Sequence, residues 1–81
     1  MTARVYVSFK KTVLDPQGQT IQHALNGLGH KLVNGVRQGK FFEIELASGA
    51  AKESAVQEVE QIARDVLANP VMEDFQVEFF D

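Results

Sequence analysis

The residues able to do chemistry in this 81-residue chain are few and scattered. His23 and His30, the only imidazoles, lie seven residues apart with no third ligand nearby, which is a poor basis for a metal site and fits surface or capping roles. Arg37 and Lys40 flank Gly39 in a turn suited to gripping a phosphate or carboxylate, and the amides near Gln17-Gly18 at a helix start share that preference. An ordinary solvated turn and an ordinary cap explain the same residues. Cysteine is absent, which removes thiolate nucleophiles, disulfides and Cys-based zinc sites. No Gly-rich loop carries Lys with Ser or Thr, and no carboxylate pair has the spacing for acid–base work. Catalysis within the chain is therefore not expected.

The residues that place everything else are Val13-Leu14-Asp15-Pro16-Gln17-Gly18. Asp15 reads as a helix N-cap, its carboxylate accepting from first-turn amides, and Pro16 supplies the φ of the first helical position. Before it, Val5, Val7 and Phe9 alternate with Tyr6 and Ser8, predicting a strand over 4–10. After it, Ile21, Ala24, Leu25 and Leu28 form one helical stripe, stopped at Gly29. Leu32–Gln38 and Lys40–Leu46 read as two strands turning at Gln38-Gly39, with Asn34-Gly35 as a competing turn. Ser48-Gly49 offers a cap for a long helix lined by Ala55, Val59, Ile62, Ala63, Val66 and Leu67, which Asn69-Pro70 ends. Val71–Phe80 alternates again as a last strand.

The order strand, helix, strand, strand, helix, strand predicts an α+β ferredoxin-like sandwich, an antiparallel sheet with two helices on one face, as a single domain over residues 1–81. The helices then cover Val5, Val7, Phe9, Phe42, Ile44, Phe75, Val77 and Phe79. The other face keeps Tyr6, Phe41 and Phe80 among Glu43, Glu45 and Glu78, a candidate self-association face. A net charge of −3, with Glu73, Asp74, Glu78 and Asp81 near the C-terminus, argues against nucleic acid as a partner. No apolar run approaches the roughly 20 residues of a membrane span, so a soluble, cytoplasmic protein is expected.

The Asp15-Pro16-Gln17-Gly18 block, with Lys10 upstream, resembles the signature of PurS, the small subunit of bacterial and archaeal phosphoribosylformylglycinamidine synthase. Val36-Arg37-Gln38-Gly39-Lys40 followed by Phe42-Glu43 is similar to that family's central turn, and Leu67 to Phe75, including Asn69, Glu73 and Asp74, to its last helix-to-strand junction. The resemblance implies a non-catalytic bridge between a PurQ-like glutaminase and a PurL-like synthetase, helping ammonia pass from one to the other. It also implies homodimers or higher assemblies, with ATP, Mg and glutamine used by the partner subunits and no cofactor in this chain. The positions that match its pattern, Asp15, Gln17, Gly18, Arg37, Gly39, Lys40, Asn69, Glu73 and Asp74, become the candidate subunit interface; at Asp15 and Gly18 backbone geometry alone is the favoured explanation. Two rival classes stay open: a free-standing ferredoxin-like regulatory module binding a small ligand at a dimer interface, and an acylphosphatase-like enzyme. The second lacks its phosphate loop, since Lys10-Lys11-Thr12-Val13 contains no glycine.

Overall fold

The computed structural model describes residues 1–80. Five elements follow one another: β1 (Thr2–Phe9), α1 (Pro16–Gly27), β2 (Gly39–Glu45), α2 (Lys52–Ile62, closing in a π-helical turn over Ala63–Leu67) and β3 (Glu73–Phe80). β1 is the central strand of an antiparallel sheet ordered β2-β1-β3, with Val5 opposite Phe42 on one side and Val77 on the other. The period-two run of β1 dictates this placement. Ala3, Val5 and Val7 are buried at the sheet's middle, and Val59 and Ala63 of α2 close over them. Each fully buried valine contributes on the order of 1.5–3 kcal/mol.

The α+β ferredoxin-like architecture holds, with one strand fewer than the sequence predicts. Residues 33–38 run as an extended connector and form no ladder. Both ends of the connector are instead bonded to α1 and its cap, which holds it away from a ladder. The Val33 carbonyl accepts from Asn26 Nδ2 at 3.1 Å, and the Gln38 amide donates to Asp15 Oδ2 at 2.8 Å. The chain therefore enters β2 straight from the connector, and neither Gln38-Gly39 nor Asn34-Gly35 makes a hairpin. The second helix starts later than Ser48-Gly49: its N-cap is Ala51, with no side-chain cap bond. β3 begins two residues after Val71, because Met72 and Glu73 donate to the Asn69 carbonyl in a turn. Asp81 lies outside the described residues.

The end of α1 matches the expected glycine stop. Gly29 sits at φ 102°, its amide donates to the Asn26 carbonyl, and the His30 amide donates to the Leu25 carbonyl. This is the paired-bond closure in which a left-handed residue satisfies the last free carbonyls. Gly29→Ala places a Cβ in open space but in a strained backbone, so it is expected to lower stability by about 1 kcal/mol in a urea titration.

The molecule is long and flat, 51 × 27 × 14 Å, with a radius of gyration of 16.3 Å. A compact chain of this length has roughly 12 Å. The core cluster takes Val59 and Ala63 from α2 and no side chain from α1. Leu28 and Leu32 beside it are 77% and 99% exposed.

Candidate functional site

Three stretches far apart in sequence meet at one end of the sheet: the Asp15 cap, the Arg37–Lys40 segment and the start of β3. They surround a hollow of about 200 Å³ lined in part by Phe9, Asp15, Gln17, Gln38, Lys40 and Glu73.

Asp15 is buried at 4% exposure, with both carboxylate oxygens engaged. Oδ1 accepts from the Gly18 amide at 3.0 Å, and Oδ2 takes the Gln38 amide across 23 residues of chain. The Gln38 amide first, then that of Gly18, with the Arg37 cation adding to them, hold its carboxyl below the ordinary 3.8. A carboxylate so fixed is a poor proton acceptor for any substrate. Arg37 donates to the Val13 carbonyl at 2.8 Å and the Lys11 carbonyl at 2.7 Å, so its guanidinium braces the loop after β1. Asp15 and Arg37 thus form a double clasp between that loop and the connector.

The glycines belong to the same packing. A Cβ on Gly18 would collide with the Val36 carbonyl oxygen, and one on Gly39 would stand 2.8 Å from the Val7 carbonyl oxygen. Backbone geometry therefore accounts for Asp15 and Gly18. Arg37, for which the sequence leaves open an anion grip or a solvated turn, has a structural duty instead, and only Lys40 keeps its ammonium available in that segment, 5.8 Å from the Phe42 ring centre. Gln17 is exposed at the hollow's rim. At the third stretch, Asn69 Oδ1 accepts from the Val71 amide and Glu73 Oε1 from the Asn69 amide, closing the helix-to-strand turn on itself. Asp74 pairs with Lys10 at 3.3 Å.

The sequence reading missed the clasp. Its signal was an N-cap aspartate with two oxygens and one obvious amide, leaving the second oxygen free for a distant partner. His23 and His30 are both exposed. Among the described residues no group of three metal-ligating side chains converges, and no helix is long and apolar enough to cross a membrane.

The outer face of the sheet carries the aromatic residues as predicted. Tyr6 and Phe41 pair in a tilted arrangement with ring centres 5.9 Å apart, and the Arg4 guanidinium lies 4.8 Å above Phe80 while bonding Glu43 at 3.0 Å.

The chain is thus a ferredoxin-like α+β module with apolar side chains left uncovered on α1 and on the outer face of the sheet. Comparison with known proteins gives its kind. The family model for PurS, phosphoribosylformylglycinamidine (FGAM) synthase, matches residues 2–81. A Mycobacterium leprae relative, phosphoribosylformylglycinamidine synthase subunit PurS, is 44% identical over 75 residues, covering 93% of this chain and 90% of that one. The crystal structure of Methanocaldococcus jannaschii PurS superposes with a TM-score of 0.84 at 39% identity, covering 95% and 92% of the two chains. A chain of the Thermotoga maritima PurLQS structure does so with a TM-score of 0.85 at 30% identity, covering 95% and 93%. The chain belongs to the PurS family, the PurS subunits of FGAM synthase.

Proposed function

We propose that this chain is the non-catalytic bridging subunit of FGAM synthase, joining a PurQ-type glutaminase to a PurL-type synthetase in the cytoplasm and supporting ammonia transfer between them. The observation that carries this reading is the likeness to a chain of the Thermotoga maritima PurLQS structure over 95% of the present chain. ATP, Mg and glutamine are then used by the larger subunits, and no cofactor belongs to this chain. Gln17 and Lys40 at the hollow's rim are the candidate interface residues whose long polar side chains make no hydrogen bond or ion pair among the described residues. The other candidates, Asp15, Gly18, Arg37, Gly39, Asn69, Glu73 and Asp74, act by shaping that end of the sheet. A second copy fits the α1 arm: Ile21, Leu28 and Leu32 are uncovered, and a chain of this size gains stability by burying such surface.

The test is reconstitution with both larger subunits. Omitting this chain is expected to abolish glutamine-dependent FGAM formation while leaving turnover with added ammonium salt nearly unchanged. Undiminished glutamine-dependent turnover in its absence would remove the bridging reading.

A further inference from the structure

We infer that the outer face of the sheet docks a different polypeptide of the same complex, through a cationic surface with an apolar centre, and is not the face on which two copies of this chain meet. The inference rests on the subunit reading above and says which surface serves it.

In the observed register, Arg4 lies between Glu43 and Glu78, and Tyr6 lies between Phe41 and Gln76. Arg4 and Tyr6 thus occupy the central strand, with Phe41 and Phe80 on the two flanking strands, 58% and 40% exposed. Arginine and aromatic side chains are the types that concentrate binding energy at the middle of protein interfaces. Arg4 is already held, by Glu43 on one side and the Phe80 ring on the other, so a partner meets it with little further loss of side-chain freedom.

Charge then decides the occupant. On this face Arg4 stands against Glu43, Glu45 and Glu78, while Asp74 is offset by Lys10, leaving an excess of two carboxylates among the described residues. Two copies placed face to face would confront these excesses across a poorly solvated contact, where like charges repel most strongly. A cationic partner meets the opposite sign. Self-association has another surface available in the α1 arm, so Tyr6, Phe41 and Phe80, which the sequence suggests for self-pairing, are free for a heterologous contact.

The experiment uses the full chain reconstituted with the glutaminase and the synthetase, comparing wild type with Glu45→Lys plus Glu78→Lys and with Glu45→Gln plus Glu78→Gln. Assembly is followed by sedimentation velocity, and the mass of the chain alone by light scattering. Charge reversal is expected to weaken assembly at least about tenfold and neutralisation less, with the mass of the isolated chain unchanged. Raising salt to about 0.3 M is expected to weaken the wild-type complex while affecting the charge-reversed one much less. Equal assembly by all three forms, or a fall in the mass of the charge-reversed chain alone, would overturn the docking face and leave the bridging role standing. If the wild-type chain itself fails to assemble, the bridging role falls, and the docking face with it. The neutral pair, which places no new charge in the sheet, covers the case in which reversal disturbs folding.

Discussion

Gly18→Ala is expected to lower the stability of this protein by about 2 kcal/mol, although alanine is the better helix former by roughly 1 kcal/mol. The new methyl group would overlap the Val36 carbonyl oxygen and approach Asp15 Oδ2 within 2.9 Å. Neither is the pliable end of a side chain: one is backbone, and the other belongs to a carboxylate whose two oxygens are each held by an amide. Relief requires the connector to move off α1, which breaks the Asp15 bond to Gln38. At fixed protein concentration the melting temperature should fall by roughly 8–16 °C. An unchanged melting temperature would show that the connector yields without cost.

Asp15→Ala is expected to be at least as damaging, with a fall in melting temperature on the order of 10 °C or more. It removes the cap from α1 and leaves the Gln38 amide, on the far side of the clasp, with no acceptor. Asp15→Asn retains an oxygen for one amide only and should lie between alanine and wild type. The wild-type carboxyl has a folded pKa below its unfolded value of 3.8. Its stabilising effect is therefore complete above that value and drains away as pH falls through the folded pKa. A denaturation series from pH 6 to pH 2 should show this acid-side loss in wild type and a weaker one in Asp15→Asn; parallel profiles would assign the loss to other carboxyls.

The legible parts of the fold were those governed by local rules. Alternation at Val5, Val7 and Phe9, the Asp15-Pro16 start and the Gly29 stop each follow from the conformational preferences of a few adjacent residues. Leu32–Gln38 has the composition of a strand and reads as the second of four, while its hydrogen-bonding partners, Asn26 and Asp15, sit on α1 and its cap. The same separation hid the duty of Arg37, whose acceptors are carbonyls more than twenty residues earlier. Family resemblance singles out residues that the fold gathers at one end of the sheet, but it does not distinguish side chains that shape a surface from those that form it. Only the hydrogen-bond geometry separates Gln17 and Lys40 from their neighbours.

The strand order has a consequence for how the molecule is assembled in time. Because β1 lies between β2 and β3, no ladder in the sheet is a local hairpin: Ser8 with Gly39 is the shortest pairing along the chain, and Thr2 with Phe80 the longest. Closing such long loops before any ladder forms is entropically slow, so folding belongs in the millisecond-to-second range typical of nonlocal topologies. Until then the valine-rich first strand is bare along both edges, and crowding of nascent chains favours intermolecular pairing, which makes dilution during refolding the practical route to native material.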